Sequence, residues 1–111
     1  MTVEELKEAI LGILKESVNG MTQDQIREAK VTKEHGEELS RKLEDFPWTI
    51  RDLNVALGSL RAEKKIVLFR PSKGRRPASN NGRIHYILRE FAANVGANPD
   101  DVGDFQIART K

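Results

Sequence analysis

The sequence predicts a mainly α-helical domain with a small β-hairpin toward its C-terminal end. Three observations carry that expectation. Thr2, Thr22 and Thr49 each stand three residues before Glu5, Gln25 and Asp52, the spacing of a helix N-cap, and apolar residues at helical intervals follow. After Lys64-Lys65 the pattern changes to the β-rich run Ile66-Val67-Leu68-Phe69. Positive charge then gathers in the segment that joins this run to a second alternating stretch.

The chain has 111 residues, enough for one hydrophobic core. Hydrophobic residues at 38%, charged residues at 32% and six aromatics point to a small soluble domain rich in helix. Without cysteine there is no disulfide, thiolate nucleophile or Cys-ligated zinc, and the composition fits an intracellular protein. The longest apolar run, Ile66 to Phe69, is far shorter than the ~20 residues of a membrane span. Met1-Thr2-Val3-Glu4-Glu5 has neither the basic nor the apolar region of a secretory signal. The expected location is cytoplasmic and nucleoid-associated, or nuclear in a eukaryote.

The first helix starts at the Thr2 cap and carries Val3, Leu6, Ile10, Ile13 and Leu14 on one stripe, with Ala9 and Val18 on or beside it. It is expected to run about four turns and to end at Asn19-Gly20. Gly12, within it, suggests close packing against a neighbour. A short second helix over 22–30 turns Ile26 and Ala29 inward. Leu39, Leu43 and Phe46 keep i, i+4, i+7 spacing and predict a third helix from about Gly36 to Asp45, broken by Phe46-Pro47-Trp48, with Trp48 at the core edge. Thr49 caps the next helix, over 49–64, whose predicted inward face is Ile50, Leu53, Leu57 and Leu60. These leucines are expected to share one core with Leu6, Ile10, Ile13, Ile26 and Tyr86.

Two antiparallel strands follow, Ile66–Phe69 and a second in which Ile84, Tyr86 and Leu88 alternate inward. The turn-forming segment Pro71 to Gly82 joins them. Beyond it, Phe91 and Val95 suit a short helix and Val102, Phe105 and Ile107 suit docking, while Gly96, Pro99 and Gly103 interrupt any long element.

A net charge of +2 conceals segregation. Residues 1–63 carry net −4 and residues 90–111 net −2, whereas Lys64, Lys65, Arg70, Lys73, Arg75, Arg76, Arg83 and Arg89 place +8 in 26 residues free of Asp and Glu. A polyanion is the natural partner of such a stretch.

Helices followed by a basic hairpin, with Ala56-Leu57-x-x-Leu60 leading after five residues into Ile66-Val67, resemble the winged helix-turn-helix family. The resemblance covers roughly residues 2–89. It implies three to four helices plus a two-stranded wing, a winged-helix domain over 1–90, and a C-terminal extension over 91–111 that is docked or partly disordered. Lys64-Lys65 occupies the turn where the family usually has glycine. Lys30 and Thr49 stand 19 positions apart, where the family has a short turn. Either the helix over 22–30 is the family's second helix and 31–48 an insertion, or the helix over 36–45 takes that role; Gly20 to Ile26 favours the insertion.

The resemblance makes the 49–64 helix the recognition helix. Opposite its apolar stripe lie Arg51, Val55, Gly58, Ser59 and Ala62, with Asn54 on the flank. Arg51 suits a bidentate contact to guanine, Asn54 one to adenine, and Val55 a thymine methyl, whereas the small residues allow close approach to a phosphate backbone. Lys73-Gly74-Arg75-Arg76-Pro77 resembles the AT-hook core Arg-Gly-Arg-Pro, which lays arginines along the narrow A·T minor groove. The expected DNA-binding set is therefore Arg51, Asn54, Val55, Ser59, Lys65, Arg70, Lys73, Arg75, Arg76 and Arg83.

The expected function is that of a small transcriptional regulator or DNA-architectural factor, binding double-stranded DNA mainly through a basic wing, as a possible homodimer. The alternatives are a winged-helix module that docks an acidic protein, and an RNA-binding domain. His35 and His85 lack a partner for nucleophilic or metal chemistry, and Ser72-Lys73-Gly74 lacks the ending of a phosphate loop. Neither enzymatic activity nor a cofactor, metal, membrane association or small-molecule ligand is expected.

Overall fold

The computed structural model describes residues 2–32, 38–72, 83–101 and 106–109. Three α-helices pack on a small sheet, an α+β arrangement: α1 (Val3–Lys15), α2 (Gln23–Glu28) and α3 (Ile50–Ala62). Strands β1 (Met21–Thr22), β4 (Ile66–Ser72), β5 (His85–Leu88) and β6 (Gln106–Arg109) form one sheet in the order β1-β5-β4-β6. Strands β2 (Lys30–Thr32) and β3 (Glu38–Lys42) pair separately. The β content thus exceeds the small hairpin expected from the sequence.

All three threonine caps form, and each is reciprocal. Thr2 Oγ1 accepts from the Glu5 amide at 3.2 Å while Glu5 Oε1 accepts from the Thr2 amide at 3.1 Å. Thr22 with Gln25 and Thr49 with Asp52 repeat the arrangement at 2.9–3.3 Å. Each box satisfies two backbone N–H groups at a point where the helix has no internal acceptor to offer.

α1 ends at Lys15 rather than Asn19-Gly20, so Val18 lies beyond the helix and is 47% exposed instead of joining its stripe. Gly20 serves a different purpose from a helix cap. Its φ is +85°, and a Cβ there would stand 2.9 Å from Phe69 Cε1 and 3.1 Å from the Tyr86 carbonyl oxygen. Only glycine lets β1 enter beside β5 so closely.

The predicted third helix is absent. Residues Glu38–Lys42 form β3, antiparallel to β2, and Leu43–Asp45 make a single 3-10 turn; residues 33–37 lie outside the description. Leu43 is fully buried, and its amide donates to the Ala29 carbonyl at 2.9 Å. Trp48 is half-buried as expected, its indole N–H donating to the Leu43 carbonyl at 2.7 Å.

In α3 the buried stripe is Leu53, Ala56, Leu57 and Leu60. Ile50, expected inward, is 54% exposed. Ala56 draws the centre of the stripe toward itself, which leaves Ile50 roughly 70° from that centre at about 100° per residue. The expected core is otherwise in place. Leu6, Ile10, Ile13, Ile26, Leu53, Leu57 and Leu60 are buried together and Tyr86 packs against them.

The sheet is covered on both faces. Ile66, Leu68 and Leu88 face the helices, whereas Val67, Phe69 and Ile87 join Ala92, Val95 and Ala97 in a second, smaller core. Two covered faces explain why four successive apolar residues make up β4 without alternation. They also correct the reading of β5, in which Ile87 is buried on the face opposite Leu88. The C-terminal cover is the 3-10 segment Arg89–Val95, closed by Gly96 at φ +74°. β6 then adds parallel to β4, with Phe69 opposite Gln106.

Candidate nucleic-acid interface

The α3–β4 junction sets the geometry of the candidate interface. The Lys65 amide donates to the Leu60 carbonyl and the Lys64 amide to the Arg61 carbonyl, both at 3.0 Å, the paired bonds that close a helix through a left-handed residue. That residue is Lys64, at φ +61°. The helix therefore passes into β4 without a linker, and the Lys65 carbonyl is fixed to the sheet by the Arg89 amide at 3.0 Å.

On the face of α3 away from the core, Arg51, Asn54 and Val55 are exposed, Val55 by 49%. Among the described residues, Arg51 and Asn54 have no side-chain partner, so their donors and acceptors are available to a ligand. Gly58 is half-buried, and a Cβ there would meet nothing within 4 Å, leaving a shallow notch between Val55 and Ala62. Ser59 is less available, since its Oγ donates to Glu63 Oε2 at 3.2 Å.

The remaining expected contacts fall elsewhere. Arg70 and Arg83 line one cleft of about 370 Å³ with Thr22, Asp24, Ile84 and Tyr86. Arg83 is not a bare cation there, because its Nη1 lies 3.1 Å from Asp24 Oδ2. Arg89 likewise reaches Asp100 at 2.7 Å. Arg83 and Arg89, whose charges look uncompensated along the basic stretch, are thus paired with carboxylates 59 and 11 positions away, outside that stretch. Lys65 is exposed beside Leu11 and Lys15, apart from the Arg51 face. Lys73, Arg75 and Arg76 lie outside the described residues, within the connection from β4 to β5.

The His85 ring stacks at a tilt on Phe69, centroids 5.3 Å apart, and its Nδ1 sits 2.9 Å from the Arg83 carbonyl oxygen. His35 lies outside the description. Among the described residues, no group of three or more His, Cys, Asp or Glu side chains is arranged to hold a metal, and no helix is long and apolar enough to cross a membrane. Burial raises the Tyr86 hydroxyl above its ordinary pKa, opposed by the Arg61 charge, so this phenol stays protonated at neutral pH. Comparison with protein-family models, curated proteins and solved structures finds no match to this chain.

Proposed function

We propose that the protein is a winged helix-turn-helix DNA-binding protein, a small transcriptional regulator or DNA-architectural factor. The observation that carries the reading is the order of elements. α1, β1, α2, α3, β4 and β5 come in that order, with β2, β3 and a 3-10 turn between α2 and α3, β1-β5-β4 pair antiparallel, and α3 leads through a tight turn into β4 with its outer face open. In this reading α2 is the second helix and the β2–β3 hairpin is an insertion ahead of the recognition helix. Arg51, Asn54 and Val55 read base edges, and the 73–76 segment between β4 and β5 is the wing.

Phosphate contacts supply most of the affinity and base contacts the discrimination. Arg51 is the sole cation among the proposed base-reading residues, whereas the β4–β5 connection holds Lys73, Arg75 and Arg76. Each neutralised phosphate contributes about 0.9 to the slope of log affinity against log salt. Changing Lys73, Arg75 and Arg76 together to alanine is expected to flatten that slope by about 2 to 3, and Arg51→Ala by at most about 1. Arg51→Ala with Asn54→Ala should mainly reduce discrimination between duplexes. Fluorescence anisotropy on one A·T-rich and one G·C-rich duplex at several salt concentrations measures both effects. If the parent binds neither duplex, or prefers RNA, the DNA reading fails. If the triple variant binds like the parent while the helix variant loses binding everywhere, α3 rather than the wing carries affinity.

Dimerisation belongs to the same proposal, because two copies double the contacts available to a sparse reading face. The C-terminal apolar residues Phe91, Val95, Val102, Phe105 and Ile107 are a second motive for a dimer, but Val95 is buried in the second core and Phe91 packs against both cores. Val102 and Phe105 lie outside the described residues. Sedimentation with and without duplex DNA decides it, and a monomer under both conditions at high protein concentration rules it out.

A further inference from the structure

We propose that the cleft between the end of α1, the α3–β4 turn and the C-terminal segment binds a small amphipathic monocarboxylate. The cleft measures about 650 Å³ and is lined by Leu11, Lys15, Lys65, Leu88, Arg89, Glu90, Pro99 and Asp100. That volume falls within the range of small-molecule sites, roughly 300–1,000 Å³.

Its lining has two kinds of surface. Leu11 and Leu88 belong to the main core and, with Pro99, provide an apolar wall. Among the described lining residues, the cations Lys15, Lys65 and Arg89 outnumber the carboxylates Glu90 and Asp100 by one. Arg89 and Asp100 neutralise each other at 2.7 Å, so the surplus resides on Lys15 and Lys65, both exposed. A surplus of one matches a singly charged acid and disfavours a phosphate dianion, which would face Glu90 with a charge left over.

The walls are held before any ligand arrives. Arg89 Nε donates to the Pro99 carbonyl at 3.2 Å while its Nη2 holds Asp100, which pins the C-terminal segment against the end of β5. The Arg89 amide fixes the Lys65 carbonyl, and the Lys65 amide is bonded to α3. The occupant places its carboxylate between Lys15 and Lys65 and its hydrocarbon against Leu11 and Leu88. Little backbone ordering is then left to oppose binding.

This site stands independently of DNA binding, and its test contains no nucleic acid. Sodium octanoate, octylamine and 1-octanol, three ligands with one tail and different headgroups, are titrated into isotope-labelled protein and followed by amide NMR. Octanoate should give saturable shifts at Leu11, Lys15, Lys65, Leu88 and Arg89. Octylamine and octanol should bind about tenfold more weakly or not at all. Lys15→Glu, a surface change that leaves the core intact, should weaken octanoate about tenfold and narrow its advantage over octylamine. Absence of saturable shifts, shifts centred elsewhere, equal binding of the three ligands, or unchanged octanoate affinity in Lys15→Glu would each overturn the proposal.

Discussion

At Lys64 the backbone adopts φ +61°, a conformation in which a Cβ crowds the following carbonyl and costs about 1–2 kcal/mol. Glycine would remove that strain and would itself lose about 0.5–1 kcal/mol through its freer unfolded state. The larger effect decides the sign, so Lys64→Gly should raise stability by about 0.5–1 kcal/mol in urea unfolding. Gly20→Ala should do the reverse, costing about 2 kcal/mol or more, because strain at φ +85° adds to collision with Phe69 and the Tyr86 carbonyl. The two glycine questions differ in legibility. The Asn19-Gly20 dipeptide marks a chain reversal, but only the tertiary approach of Phe69 fixes why glycine is required. The α3 turn hides its left-handed residue behind an ordinary lysine. A second residue-scale effect joins Lys7 to Glu63 at 2.6 Å. The Lys7 hydrogen bond holds the Glu63 carboxyl below its usual 4.5, and that bond raises Lys7 above its usual 10.5. The Glu63 contribution is present above about 4.5 and is lost as pH falls through the lowered folded value. That of Lys7 is present below about 10.5 and is lost as pH rises through its raised value. Lys7→Met should therefore lower stability at about pH 7 but much less near pH 3, and parallel unfolding curves at both pH values check it.

Among the elements, helices with threonine caps were readable because the cap is a local device: a hydroxyl and a carboxylate or amide three residues on complete it without help from the rest of the chain. α3 followed from Leu53, Leu57 and Leu60, and the test of that element is Leu57→Ala. Leu57 is 4% exposed within the main core, so its truncation should cost about 2–5 kcal/mol in chemical denaturation. A loss below about half a kilocalorie would mean that the site is not packed as described. The segment Glu38–Asp45 shows the opposite case. Leu39, Leu43 and Phe46 happen to keep helical spacing, but β-branched Val31 and Thr32 are buried on β2 and bring β3 into antiparallel pairing. Only the pairing partner distinguishes a strand from a helix there, and β2 lies ahead of the Leu39–Phe46 span in the sequence. The candidate interface divides along the same line. The outer face of α3 follows from helical geometry, whereas the Arg83–Asp24 pair, which removes a charge from the basic stretch, spans 59 positions.

For the whole molecule, the second core makes the C-terminal segment part of the fold rather than an appendage. Val67, Phe69 and Ile87 are at most 1% exposed, and their cover comes from Ala92, Val95 and Ala97. Removing the segment would bare three large apolar side chains on one sheet face, each worth about 1.5–3 kcal/mol of burial. A chain ending at Glu90 should therefore unfold at markedly lower denaturant and bind a fluorescent apolar dye. The main core, built from α1, α2, α3 and the inner sheet face, should retain its helical circular dichroism. Ala92→Asp gives the same test without shortening the chain. Ala92 is fully buried, and an unpaired carboxylate placed against Phe69 and Val67 must either take up a proton or lift the segment away. The lifting should appear as loss of hydrogen-exchange protection in 89–97 and β4, with α1 still protected. If truncation and Ala92→Asp both leave stability within about half a kilocalorie of the parent, the sheet has only one structurally important face and the second core contributes nothing to the fold.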